Sequence, residues 1–246
     1  RPRPPTAADV MADARRDVKP RLLDLFCGAG GATRGYQLAG FHVTGIDIKP
    51  QPDYCGDDFY QGDATKVTVE PGRFDAIHAS PPCQMFTAYR RAMPDRGDDN
   101  YVNLIPDTRA ILEAWGGPYV IENVPNAPLN DPILICGSMF DPPLEVQRHR
   151  LFETNWGCPP PVWPCRHKLW GPDRYPGGKS VARTGSSKGL VRGTVEIGAW
   201  DIPLEVQQRA IGIDWMPTKA LSQAIPPAYT EWVGRRMLDH LEAAAA

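Results

Sequence analysis

The chain has 246 residues, enough for one full core and a small appended lobe, and a formal net charge of −2. No run approaches the roughly 20 apolar residues of a membrane span. The Pro-, Ala- and charge-rich stretch from Arg1 to Pro20 lacks the apolar centre of a signal peptide, so a cytoplasmic protein is expected. Its 27 prolines and 23 glycines predict long loops, and six irregularly spaced cysteines predict free thiols, not a secreted disulfide framework.

Arg21 to Phe26 reads as a buried strand, followed by Cys27-Gly28-Ala29-Gly30-Gly31 and a helical pattern through Leu38. Glycines between a strand and a helix allow a tight turn, close approach of backbone to a ligand, and a helix N-terminus aimed at it. A second strand, Phe41 to Ile48, carries Asp47 near its end, nineteen residues after Gly28. In nucleotide-binding sheets an acid at about 20 residues' distance takes the ribose hydroxyls. Asp63 supplies another carboxylate beside a third strand end.

Phe74 to Ala79 is a short apolar run that meets Ser80-Pro81-Pro82-Cys83-Gln84. Proline cannot continue a central strand, so the chain turns out of the sheet and sets Cys83 at a strand's carboxyl end, where ligands bind in open α/β sheets. The polar stretch Thr87 to Asn100 is a candidate lid. Tyr101 to Trp115 reads as an amphipathic helix interrupted at Pro106. Pro118 to Val124 reads as a strand that closes on Glu122; if it neighbours the strand before Cys83, the carboxyl lies beside the thiol. Burial raises a carboxyl pKa, which suits such a group to hold a proton near neutrality.

Ile133 to Phe140 and Val146 to Phe152 read as two further strands. On the second, Arg148 and Arg150 share one face by period 2 and present two forks to a planar acceptor. Between Arg148 and Arg192 lie nine basic and two acidic residues, seven positive charges net, which leaves nine negative charges on the rest of the chain. Trp156, Trp163, Trp170 and Tyr175 interleave with that basic segment, a composition suited to nucleic-acid contact. Cys158, Cys165 and His167 offer three soft donors, but C-x6-C-x-H matches no standard module and no metal is assigned. Leu204 to Ile213 returns to helical periodicity. Ser222 to Pro227 opens a last helix with Tyr229, Val233, Met237 and Leu241 as its apolar stripe. The final alanines carry no part of the reading.

With these residues in hand, the sequence resembles the DNA cytosine-5 methyltransferases of bacteria and their phages. Asp24 to Gly31 is similar to the family's first cofactor motif, Pro82-Cys83-Gln84 to its catalytic motif and Glu122-Asn123-Val124 to its second catalytic motif. Arg148 and Arg150 match its Q-x-R-x-R arginines, and Ile225-Pro226-Pro227 falls within its last motif. The likeness runs over roughly residues 21 to 240. There are two departures: Val146 stands where the motif Gln falls, with Gln147 displaced by one, and Ser222-Gln223 replace the usual Gly-Asn.

The resemblance implies an α/β, Rossmann-like sheet that binds S-adenosylmethionine, with a small, loop-rich target-recognition lobe. It divides the chain into an N-terminal arm (1–20), a catalytic and cofactor-binding domain (21–152), a recognition region (153–198) and C-terminal helices (199–242). It gives Cys83 the role of nucleophile and sets Glu122, Arg148 and Arg150 on the base. It assigns the cofactor to Phe26, Cys27, Gly28, Ala29, Gly30, Gly31, Asp47, Ile48, Asp63, Ala64, Pro82, Ser222 and Gln223. Double-stranded DNA would meet Gln84, Thr87, Arg90, Arg91, Arg166, Lys168, Arg174, Lys179, Arg183, Lys188 and Arg192. The reaction implied is methylation of carbon 5 of a flipped-out cytosine by a monomer, in a bacterial cell or a phage-infected host, with restriction-modification among the possible settings. Alternatives are a transfer-RNA cytosine-5 methyltransferase of the same fold, an enzyme using a modified S-adenosylmethionine, and an inactive DNA-binding homologue.

Overall fold

The computed structural model describes residues 19–86, 102–166, 195–199 and 202–246. Seven strands form one sheet: β1 (Arg21–Leu25), β2 (His42–Asp47), β3 (Asp58–Gln61), β4 (Ala76–Ala79), β5 (Tyr119–Asn123), β6 (Ile133–Ile135) and β7 (Arg150–Thr154). Their spatial order is β3-β2-β1-β4-β5-β7-β6. The first five are parallel; β7 runs antiparallel to both β5 and β6. The order reverses between β1 and β4, so the carboxyl ends of those strands open the crevice in which such sheets bind ligands. This is the Rossmann-like methyltransferase fold the sequence implies.

Successive residues of β1 serve opposite layers. Leu22 packs with Tyr36 of helix α1 (Gly31–Ala39) and with Tyr229, Val233 and Met237 of the last helix, α5 (Pro227–Ala245). Leu23 and Leu25 face Ile77, Ile121 and Leu112, the last on α2 (Ile105–Trp115). The predicted stripe of the last helix is thus the part that seals one face of the sheet. Helices α1 and α5 come close because Gly35 lies against Thr230 and Pro227, leaving no space for a side chain. A third cluster joins Ala29 and Val146 to Val195, Ile202, Ile211 and Leu221, using α3 (Leu204–Ile211) and the short α4 (Thr218–Leu221).

Three details differ from the sequence reading. Pro106 sits in the first turn of α2, where a missing N–H costs no helical hydrogen bond, so it starts the helix and does not interrupt it. The strand predicted through Phe140 stops at Ile135: Cys136 is followed by a 3-10 turn, Gly137–Met139, whose glycine passes directly against the Val146 carbonyl. The ladder between β6 and β7 ends at the pair Ile135↔Arg150. Strand β7 therefore starts at Arg150 and extends to Thr154, and Arg148 lies outside it. No helix among the described residues is long and apolar enough to cross a membrane.

Candidate active site

Two neighbouring halves meet at the carboxyl edge of the sheet. In the first, the chain leaves β1 through Phe26 at φ +61 and Gly28 at φ +51. An L side chain adopts the left-handed region only at a cost, so the turn is held by its surroundings. The Gly28 N–H donates to the Asp47 carboxylate at 3.0 Å, and the same carboxylate accepts from Lys49 N–H at 2.9 Å. The carboxylate at the end of β2 thus fixes the loop after β1. A Cβ on Gly28 would meet nothing within 4 Å, so this backbone faces open space. By contrast, a Cβ on Gly30 would lie 2.7 Å from Cys55 Sγ, and one on Gly31 would lie 2.7 Å from the Ile225 carbonyl. Those two glycines are required by packing within the protein. Cys27 and Ala29 are buried, and Cys27 N–H donates to Ile46 O at 3.1 Å.

Asp63 caps the 3-10 turn Ala64–Lys66, accepting from Thr65 N–H at 3.0 Å and its hydroxyl at 2.6 Å. Those bonds, with Lys66 nearby, hold its carboxyl below the usual range, so it stays ionised. Ile48 is 63% exposed beside these acids. An exposed aliphatic residue following the Asp47 that anchors the open Gly28 backbone fits an apolar ring carrying a polar sugar. Ala64 is buried under the turn. Ser222 packs against Gly198 and Gln223 is exposed, both where the last motif approaches the loop after β1.

The second half is built from three strand ends. Strands β4 and β5 are neighbours in the register Ala79↔Ile121, so the expected adjacency of the Cys83 loop and Glu122 is met. The Asn123 amide donates to the Pro81 carbonyl at 2.9 Å in a buried contact, tying the end of β5 to the Pro-Pro turn. Cys83, half-buried, opens a 3-10 turn, Gln84–Phe86, through Phe86 N–H to Cys83 O at 2.9 Å. Glu122 is paired with Phe152 across β5 and β7, which brings Arg150 alongside. Arg150 Nε lies 3.0 Å from Glu122 Oε1. Among the described residues this oxygen makes the ion-pair contact but no hydrogen bond. Burial raises the Glu122 pKa, while Arg150 and then His78 pull it down. Burial also raises the Cys83 thiol pKa, against Arg150, which favours the thiolate. Arg148 is pushed down to about 9 by burial and by Arg150; its guanidinium donates to the Ser222 carbonyl.

Three positions to which the sequence gave no role in the site hold this arrangement. The Trp215 indole N–H donates to the Ala29 carbonyl at 2.9 Å, clamping the loop after β1 from 186 residues away. The Tyr229 hydroxyl donates to the Arg148 carbonyl at 2.7 Å. Buried Asp24 accepts from the Thr33 hydroxyl at 2.5 Å and contacts His78 Nδ1 at 2.8 Å, bracing β1 against α1 and β4 beneath the crevice. Of these, Asp24 stood inside a motif that resembles the family's, as did Asn123, without a role assigned to either.

Of the residues expected to meet DNA, Gln84 lies in the turn after Cys83. Arg166 folds back on the protein: its guanidinium donates to Ser138 O at 3.3 Å and to Phe140 O at 3.0 Å. Thr87, Arg90, Arg91, Lys168, Arg174, Lys179, Arg183, Lys188 and Arg192 lie outside the described residues, as do the candidate lid and His167. Cys158 is buried in the core cluster with Leu22 and Trp156, away from the grouping expected with Cys165.

Comparison with known proteins agrees with this geometry. Residues 20–131 match the family described as C-5 cytosine-specific DNA methylase. That stretch contains the loop after β1, Asp47, Asp63, Cys83 and Glu122, all placed at one sheet edge. The match lies on that segment, and it is similarity to this family that the segment shows. S-adenosylmethionine is the family's methyl donor, and the residues around Gly28, Asp47, Ile48 and Asp63 fit it. Among curated relatives, the type II methyltransferase M.AquIA of Picosynechococcus is 28% identical over 124 residues, 44% of this chain and 49% of the relative. The match thus spans about half of that protein's length. Among solved structures, one described as a DNA modification methyltransferase encoded within an E. coli prophage superposes with a TM-score of 0.56 at 13% identity, covering 91% of this chain and 99% of the other. The Dnmt2 methyltransferase of S. pombe reaches a TM-score of 0.50 at 14% identity, covering 90% and 99%. Both establish the shared fold.

Proposed function

We propose that this protein transfers a methyl group to carbon 5 of cytosine in double-stranded DNA, through a transient bond between Cys83 Sγ and carbon 6 of the base. The observation that carries the reading is the convergence of Cys83, Glu122 and Arg150 from three strand ends at the edge that also carries the cofactor loop.

Carbon 5 of cytosine is a weak nucleophile. Thiolate addition at carbon 6 moves the ring's electrons toward carbon 5, dividing one difficult step into easier ones. Bound S-adenosylmethionine supplies an electrophilic methyl on a sulfonium. Glu122, whose pKa burial raises, holds a proton toward ring nitrogen 3 and draws electron density from carbon 6. Arg150 holds the base through oxygen 2 and favours the Cys83 thiolate. Arg148, fixed through its own carbonyl by Tyr229, adds a second positive charge beside Arg150. After transfer, loss of the carbon 5 proton expels Cys83 and restores the ring.

The reacting carbons are stacked inside a duplex, so the base must leave the helix at a cost of a few kcal/mol. The basic segment following β7 supplies phosphate contacts, which makes binding salt-dependent. Incubation with labelled S-adenosylmethionine and duplex DNA or RNA tests the reading, with nucleoside mass spectrometry identifying the base and the group added. We expect 5-methylcytosine in duplex DNA within a short sequence context. Label in RNA alone, or a group heavier than methyl, would overturn the substrate or the donor respectively.

A further inference from the structure

Cys136, His149 and Cys165 come from three separate segments and converge with all their donor atoms within 4.8 Å of one another. The register explains the first two. Strands β6 and β7 pair as Leu134↔Leu151 and Ile135↔Arg150, so the chain leaves the ladder with Cys136 and His149 as the residues next beyond its last pair. Cys165 arrives after the stiff run Pro159-Pro160-Pro161 and Pro164. It is held there by its neighbour: Arg166 N–H donates to the Ser138 hydroxyl at 2.9 Å, and the Arg166 guanidinium bonds two carbonyls of the same turn.

We propose that Cys136, His149 and Cys165 bind a structural zinc ion that ties the start of the recognition region to the strand carrying Arg150. Two sulfurs and an imidazole are the soft donor set that selects zinc. Metal–sulfur bonds of about 2.3 Å and metal–nitrogen bonds of about 2.0–2.1 Å, tetrahedrally arranged, put ligand atoms roughly 3.5–3.8 Å apart. His149 Nε2 and Cys165 Sγ lie 3.3 Å apart, close to that spacing. The Ser138 hydroxyl lies 3.3 Å from Cys136 Sγ and 3.5 Å from Cys165 Sγ, the position of an outer partner that orients the sulfurs. A bound dication holds both sulfurs as thiolates, releasing the two thiol protons to solvent. No electron is transferred. His149 is flanked by Arg148 and Arg150, so ligation fixes the backbone that presents both guanidinium groups. The site stands whether or not the substrate reading holds, because its readout is metal and not methyl transfer.

The full chain, expressed in zinc-containing medium and purified without chelator, is expected to carry one zinc per molecule by elemental analysis. X-ray absorption should count two sulfur ligands and at least one nitrogen. Loading with cobalt(II) should give thiolate charge-transfer bands and intense visible bands of tetrahedral cobalt in the wild-type protein, which requires no variant to fold. Cys165→Ser should lose the metal, and Cys158→Ser should retain it. Three results would each overturn the proposal: wild-type protein that holds neither zinc nor cobalt, a Cys136–Cys165 disulfide found by non-reducing peptide mapping, or loss of metal in Cys158→Ser with retention in Cys165→Ser.

Discussion

The two halves of the crevice satisfy their polar groups differently. On the cofactor side, built from β1 to β3, the Asp47 carboxylate accepts from two backbone N–H groups and Asp63 from the N–H and hydroxyl of Thr65. On the base side, built from β4, β5 and β7, Glu122 Oε1 and Arg148 Nε are buried without a hydrogen bond among the described residues. Buried polar groups ordinarily find partners, so an incomplete set is either a cost or a place kept for a ligand. The first half is pre-formed; the second is a charged cluster with polar atoms left over, which the proposed function assigns to a substrate.

The largest effect expected from breaking this contrast is at Cys83. Cys83→Ser should abolish turnover while calorimetric binding of S-adenosylmethionine stays near wild type, because the thiol belongs to one half only. Arg150→Ala leaves Glu122 buried and uncompensated; removing one member of a buried pair costs about 3–5 kcal/mol, to be read by denaturant unfolding. Glu122→Gln keeps the shape and should lower turnover by about 10²–10⁴-fold.

Titration sharpens the same contrast. The pKa of native Glu122 lies above its unfolded value, so the native state holds the proton through a window where the unfolded state has lost it. Wild-type stability should therefore decline, relative to Glu122→Gln, as pH rises from about 4.3 upward to the raised native value. The alkylation rate of Cys83 should rise with pH through a midpoint above the usual thiol value. Arg150→Ala should move that midpoint higher and Glu122→Gln lower, opposite shifts that follow from the signs of the two neighbours. On the cofactor side, Trp215→Phe removes the N–H bond to Ala29, a net loss of about 0.5–1.5 kcal/mol. This smallest effect should be read as weaker S-adenosylmethionine binding.

What could be read from the chain divides along the same line. β1, β2 and the intervening glycines are contiguous, and a strand buried on both faces is a near-continuous apolar run, so the cofactor side was legible locally. The nearness of the Cys83 turn to Glu122 was legible because one follows and the other lies at the end of such a run. Arg148 was misread as a strand residue, since period 2 says nothing of where the neighbouring strand ends, and β6 turns away at Gly137. Trp215 gives no local signal, because its partner is 186 residues distant. The thiols illustrate the same limit. Nearness in sequence suggested Cys158 with Cys165, whereas the ends of the β6–β7 ladder leave Cys136 and His149 beside Cys165.

The central claim is a bond between one sulfur and one ring carbon. A duplex carrying 5-fluorocytosine, incubated with the protein and S-adenosylmethionine, should trap that bond, because fluorine at carbon 5 cannot leave as a proton would. The account predicts a stable protein–DNA adduct whose peptide map assigns the modification to Cys83 and which is absent in Cys83→Ser. An adduct on another residue, or none at all with donor bound, would contradict it.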